Sequence, residues 1–182
     1  MANKDPERRA RTRKRIMDAY WELYAADPSR DVTVTAVIAK ASVHRSTFYE
    51  YFADAGAVLM AIEDDLVMLF EEESSNALSG DMVDPAGIVQ RVYVEHGDLL
   101  SVLLGDAGDP RFARRVKEVL KPVAMRELGL EGDPCSPYLF EFAATGLLAA
   151  ASLWYERGCD LEPGEFGKLN RATLMAVMSQ AT

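Results

Sequence analysis

Between Arg45 and Phe52 the chain reads Arg-Ser-Thr-Phe-Tyr-Glu-Tyr-Phe, a run dense in side chains that hydrogen-bond to nucleic acid. If the segment is helical, Phe48 and Phe52 share one face, four residues apart, and can pack inward. Arg45, Ser46, Thr47, Tyr49 and Tyr51 are then left on the outer side. A guanidinium can donate two hydrogen bonds to a guanine edge, and a threonine can meet a phosphate or a thymine methyl. The phenols of Tyr49 and Tyr51 can reach phosphate oxygens, which position a protein without reading sequence. A second group of donors lies near the N-terminus, Arg8-Arg9-Ala10-Arg11-Thr12-Arg13-Lys14-Arg15. A flexible basic arm of this kind gains affinity by releasing counterions along a phosphate backbone or in a minor groove. Arg8, Arg9 and Arg11 are its expected contacts.

The overall charge of −9 argues against a nucleic-acid partner only until it is divided along the chain. Residues 1–56 hold ten Lys and Arg against eight Asp and Glu; the remainder holds ten against twenty-one. A positive tip on an acidic body can touch phosphate with one end while the other is repelled. Other chemistries have little to stand on. There is no phosphate-cradling glycine loop, no HExxH and no nucleophile elbow, so no enzyme is expected. Two histidines and two scattered cysteines, Cys135 and Cys159, form no metal-ligand spacing; no metal and no cofactor are expected, and the cysteines read as free thiols. The most apolar stretch, Phe142 to Tyr155, suits a buried helix better than a membrane span. The charged N-terminus lacks the apolar middle of a signal peptide, so the expected location is the cytoplasm.

The elements that must hold these residues are helices, since apolar side chains recur at three- and four-residue spacing almost everywhere. The first is expected from about Glu7 to Ala26, stopped before Pro28. A short second helix, capped by Thr33 or Thr35, runs through Lys40. Ser42-Val43-His44 is a tight turn, and a third helix covers Arg45 to Tyr51. The second and third helices with their turn have the dimensions of a helix-turn-helix, whose second helix fits the major groove. Asp54 caps a long fourth helix to about Ala77. Asp84-Pro85 opens a fifth to about Leu104, and Pro110 a sixth to about Leu128, which Pro122 should kink or divide. Gly129 to Ser136 reads as a linker. Pro137 to Arg157 and Pro163 to Ser179 form the last two helices.

The stretch from Val32 through Ala41-Ser42-Val43-His44-Arg45-Ser46-Thr47-Phe48-Tyr49-Glu50-Tyr51-Phe52 closely resembles the DNA-binding domain of the TetR family. The likeness covers about residues 8–70. It implies an all-α protein with an N-terminal three-helix helix-turn-helix domain over residues 1–53, the basic arm occupying residues 1–15. A C-terminal helical bundle over residues 54–182 would bind an effector and dimerise through its last two helices. By position in that resemblance, Thr33 or Thr35 touches phosphate, His44, Arg45, Ser46 and Thr47 sit at the groove, and Tyr49 and Tyr51 clamp the backbone. The implied function is a ligand-responsive repressor that binds a palindromic DNA operator as a homodimer. Several residues depart from the family pattern. Ser42 stands where the family often has Gly, His44 replaces a common Ser or Asn cap, Ala55-Gly56 lacks a frequent lysine, and Glu50 is acidic on the reading side. These departures keep open a second reading, a coactivator or protein-interaction module whose head no longer reads DNA. The C-terminal pattern also resembles, more weakly, a subgroup that includes regulators of dihydroxyacetone kinase.

Within the body, Leu147, Leu148, Ala151 and Trp154 of the seventh helix are the expected dimer interface, joined by Leu174, Val177 and Met178 of the eighth. Small residues around Gly146 would let helix axes approach closely. Met68, Tyr93, His96, Phe112, Met125, Tyr138 and Phe142 are large side chains expected to point inward, around a pocket for a small-molecule effector if they are not simply core. A protein partner is the alternative occupant of the body.

Overall fold

The computed structural model of the chain describes residues 6–79, 84–105, 108–128 and 134–178. The first residues of the basic arm, most of the Gly129–Ser136 linker, Gly80-Asp81 at the expected end of the fourth helix, and the side chains of Val177 and Met178 lie outside the described residues. Among the described residues eight helices follow one another: α1 Pro6–Ala26, α2 Val34–Ala41, α3 Arg45–Tyr49, α4 Ala55–Ser79, α5 Pro85–Leu103, α6 Pro110–Leu128, α7 Ser136–Glu156 and α8 Pro163–Met178. No strand occurs among the described residues, so the all-α expectation holds. Packing divides the chain into Met1–Leu66 and Val67–Thr182, a division that falls inside α4.

In the first unit α1 buries Ile16, Ala19, Tyr20 and Tyr24, a three- and four-residue stripe. Val37 and Ala41 of α2, Phe48 of α3, Phe52, and Val58 and Ile62 of α4 complete the core. Burial, with smaller contributions from Tyr24, Glu63 and Asp31, pushes the Tyr20 phenol up to about 12, so it stays neutral. The N-terminal segment is not a flexible arm from Pro6 onward. It forms the opening turns of α1, because proline suits a first helical turn and Arg, Ala and Lys are good helix formers.

Local caps fix the helix-turn-helix. Thr33 accepts a hydrogen bond from the Ala36 N–H at 3.3 Å and so starts α2. Ser42 closes it in the left-handed conformation, φ 50 and ψ 47. The Ser42 N–H donates to the Ala39 carbonyl and the Val43 N–H to the Ile38 carbonyl, the paired bonds of a Schellman motif. The sequence thus places a serine where glycine carries no steric penalty. Ser42→Gly is expected to stabilise the head by about 0.5–1 kcal/mol, with part of the gain offset by the greater freedom of glycine in the unfolded chain. A thermal melt that fails to rise would show that the serine side chain compensates for its own strain. Beyond the turn, His44 starts α3, and Asp54 accepts from the Ala57 N–H at 2.8 Å to start α4, as expected.

The second unit packs α5 against α7, with α6 and α8 alongside. Ile88, Val92, Leu100, Val116, Leu120 and Val123 are fully or almost fully buried. Tyr93 is also sealed inside, its hydroxyl 2.7 Å from that of Ser152 on α7, and desolvation raises its pKa to about 12. Trp154 stacks on Phe166 of α8, centroids 4.5 Å apart, and donates its indole N–H to the Leu161 carbonyl at 2.9 Å.

One expectation about this unit changes. α6 runs unbroken through Pro122. The proline lies on the exposed face, as does Glu118 one turn earlier, so water can meet the carbonyl that loses its partner. The break falls instead in α5, where His96 adopts φ −133 and ψ 25. The next residue, Gly97, lies so close to Tyr155 that a Cβ there would sit 2.2 Å from the ring. Asp84 precedes α5 without a side-chain cap, because its carboxylate pairs with Arg171 of α8.

Candidate nucleic-acid interface

α3 is shorter than expected. It ends at Tyr49, and Glu50 and Tyr51 form the turn that follows. Of its five residues only Phe48 is buried, at 0% exposure, and this one anchor decides which side faces out. Arg45, Ser46 and Tyr49 are exposed, and Thr47 is half-buried. Arg45 meets Tyr49 one turn further on. Its Nη2 donates to the Tyr49 hydroxyl at 3.3 Å, and its guanidinium lies over the Tyr49 ring, 5.6 Å from the centroid. Tyr49 in turn meets Phe48 edge-on, centroids 5.5 Å apart and planes at 89°.

The turn side is equally ordered. Nδ1 of His44 lies 2.9 Å from the Ser46 hydroxyl and accepts from the Ser46 N–H at 3.4 Å. An accepting Nδ1 places the ring proton of the neutral imidazole on Nε2. His44 is therefore first a helix cap, and its remaining N–H is what it can offer to a partner.

α1 supplies the other wall. Arg8, Arg11, Thr12 and Arg15 line an open cleft of about 460 Å³ together with His44 and Thr47. Arg8, Arg11 and Arg15 recur at three- and four-residue spacing, which brings them onto one helix face. None of the three pairs with a carboxylate among the described residues. The other cations of the segment are engaged. Arg13 bridges to Asp65 at 3.3 Å and Lys14 to Asp18 at 2.7 Å, while Arg9 lies over the Tyr51 ring at 5.6 Å. The expected contacts were Arg8, Arg9 and Arg11; the geometry separates Arg9 from the cleft and adds Arg15 and Thr12. The helical spacing of the arginines carried that signal, and reading the segment as a flexible arm obscured it. Thr35 is exposed on the first turn of α2, and Tyr51 is half-buried beneath Arg9, outside α3.

No family model matches the sequence, and no curated protein matches it. Solved structures do. A TetR transcriptional regulator from Streptococcus agalactiae superposes with a TM-score of 0.66 at 22% identity, over 94% of this chain and 96% of that one. The chain has the TetR-regulator fold. The dihydroxyacetone kinase operon activator DhaS shares that fold at a TM-score of 0.62 and 17% identity, covering 92% and 96% of the two chains. FadR from Thermus thermophilus, a TetR-family repressor in complex with lauroyl-CoA, shares it at 0.54 and 23%, covering 90% and 93%.

In the TetR-type body, several expected site residues face elsewhere. Leu147, Leu148, Ala151 and Trp154 are buried against the chain's own helices, and Leu174 is half-buried. The four buried residues are therefore taken up by the chain's own packing. Among the described residues, the large exposed apolar side chains of α7 and α8 are Tyr138 at 79%, Phe142 at 68%, and Leu153, Leu169 and Met175. Tyr138 and Phe142 had been expected to point inward, as had Met68, which is 63% exposed. The physical reason is that α7 is apolar on nearly every side, so its periodicity marks no single inner face. Tyr93 and Phe112 are inside, but as tightly packed core, and Met125 packs against Ala124, Phe140 and Ala144. His96 is half-buried beside a cleft of about 100 Å³ that also meets Glu72, Glu73 and Arg91. Among the described residues, no helix is long and apolar enough to cross a membrane.

Proposed function

We propose that this protein is a transcriptional regulator that binds a roughly palindromic DNA operator as a homodimer and leaves it when an effector occupies the body. One observation carries the reading. A single buried phenylalanine turns Arg45 and Tyr49 outward on α3, beside a cleft lined by three arginines without carboxylate partners among the described residues. Arg45 is then the base-reading side chain, and Arg8, Arg11, Arg15, Thr47 and the Nε2–H of His44 hold phosphates. Thr33 and Thr35 at the start of α2, with Ser46 and Tyr51, lie at the margin of that contact. Glu50 is exposed in the turn that ends α3.

The test is Arg45→Ala in the full-length protein, titrated by fluorescence anisotropy against a duplex enriched from a randomised pool and against a scrambled duplex. The expected loss is about 1–3 kcal/mol on the enriched duplex only. Equal losses on both would contradict base reading.

The dimer rests on the outward stripe of α7. Tyr138, Phe142, Gly146, Ala149 and Leu153 recur at helical spacing and are exposed, with Leu169 and Met175 exposed on α8. A contiguous apolar patch on a soluble domain marks an association surface, and a two-fold axis would bring the same patch of a second copy against it. Nothing stands within 4 Å of where a Gly146 Cβ would be, so a second helix can approach closely there.

The effector would enter between α5, α6, α7 and α8. A crevice with no polar lining lies there, walled by Leu120, Ala124, Phe140, Ala144, Leu147 and Leu174, but its volume is only about 20 Å³. That is room for about one water molecule. A bound effector must therefore part these helices, which couples its binding to the placement of α7 and α8. The apolar lining favours an acyl chain or another hydrocarbon, the class to which the lauroyl group on the Thermus protein belongs.

A further inference from the structure

We infer that Tyr49 is a positioning residue for Arg45, so that it sets the base selectivity of the head and not its general grip on DNA. The inference rests on the reading of α3 as a DNA-contacting helix and revises the expectation that both tyrosines serve alike as backbone clamps.

Arginine is among the side chains that lose most rotamer freedom when fixed, and an exposed arginine at the start of a helix would have to be ordered at the moment of binding. Arg45 is ordered beforehand. Tyr49 lies one turn further on the same face, and it restrains the guanidinium in two ways, by the hydrogen bond to its hydroxyl at 3.3 Å and by the ring beneath at 5.6 Å. Tyr49 can do this because it is itself held. Its ring abuts Phe48 edge-on, and Phe48 is fully buried. The line of support runs from the core through Phe48 and Tyr49 to Arg45. Only one of the five guanidinium N–H groups is spent on the phenol, leaving donors for a base edge.

Tyr51 provides the contrast. It lies outside α3, and the cation over its ring is Arg9, which does not line the cleft. A tyrosine that only touches phosphate contributes equally on every sequence, whereas one that orients a base-reading arginine contributes only where the base is right. The two roles therefore predict different outcomes for removing a hydroxyl.

The experiment uses the full-length protein as wild type, Tyr49→Phe, Tyr49→Leu, Tyr51→Phe and Arg45→Ala. A duplex is enriched from a randomised pool with the wild type. Every variant is then titrated against that duplex, each of its single-base-pair substitutions, and a scrambled duplex. Tyr49→Phe keeps the ring and its brace on Phe48, so the fold should be retained, and a melting curve checks this. Its expected result is a roughly threefold to tenfold loss of discrimination, confined to the base pairs whose preference Arg45→Ala also erases. Affinity for the scrambled duplex should stay within about twofold of the wild type. Tyr49→Leu, which removes the stacking as well, should flatten the same base pairs further, and Tyr51→Phe should shift all duplexes together. If Tyr49→Phe lowers every duplex in proportion, or changes nothing, the positioning role is overturned while DNA binding stands. If the wild type enriches no sequence at all, the DNA reading itself falls and the inference goes with it, a distinct signature.

Discussion

Phe142→Glu is expected to leave a folded chain that no longer pairs and that loses about two orders of magnitude or more in affinity for the enriched duplex. Phe142 is 68% exposed, so a polar replacement removes little from the chain's own core, and its effect on folding should stay within about 0.5 kcal/mol. Across a two-fold axis the same substitution acts twice, setting a carboxylate from each copy into an apolar stripe beside the existing Glu141. Unpaired charge in a desolvated contact is strongly unfavourable. The DNA consequence follows from linkage of the two heads. Once one head is bound, a tethered second head meets its half-site at high effective concentration, which multiplies affinity by about 10²–10⁴ without any new contact. Light scattering on the eluted protein checks the first half of the expectation and anisotropy the second. A variant that remains dimeric would move the association surface away from α7.

The second large effect is expected from replacing Arg8, Arg11 and Arg15 together by alanine. These three line the cleft, and alanine preserves the helix, so the loss reports on phosphate contacts and not on folding of α1. Each contact removed should lower the magnitude of the slope of log K against log salt by about 0.9, and affinity for any duplex should fall about a hundredfold or more near 0.1 M salt. Selected and scrambled duplexes should lose equally, the opposite pattern to Arg45→Ala. Arg9→Ala, whose guanidinium lies over the Tyr51 ring, should leave the slope nearly unchanged. A triple variant with an unaltered salt slope would remove the cleft from the mechanism.

The head was largely legible in its residues, for a definite reason. Phe48 and Phe52 are the large apolar residues in an otherwise polar run, and their spacing left little choice about which side of α3 turns inward. Ser42 could be recognised as standing where glycine would be easier, and its left-handed backbone is the result. The basic segment was harder. Its composition suits an arm or a helix equally, and only Pro6 and the Arg8, Arg11, Arg15 spacing favoured the helix that forms. Tyr51 could not be excluded from α3 by pattern, because its separation from Phe48 is also a helical one.

The body was less legible because α7 is apolar around most of its circumference. Leu147 and Leu148 are buried, yet Phe142 and Leu153 are exposed, and nothing in their types distinguishes the two sets. Which of them turns inward is decided by the neighbours α5, α6 and α8, long-range facts that no local window contains. The same holds for α5. Proline marked α6 as the helix to break, but the break came at His96, where the neighbouring Gly97 fits flush against Tyr155 of α7. There tertiary packing outweighed local preference.

The single anchor of α3 bears on how such a protein can change over generations. With Phe48 alone fully buried, the exposed Arg45 and Ser46 carry little of the packing of α3. On the proposed DNA-reading role, substitutions there would alter which sequence is bound while leaving the scaffold intact, so new target sites could be acquired one side chain at a time. A surface so lightly tied to its own foundations is well suited to divergence after gene duplication.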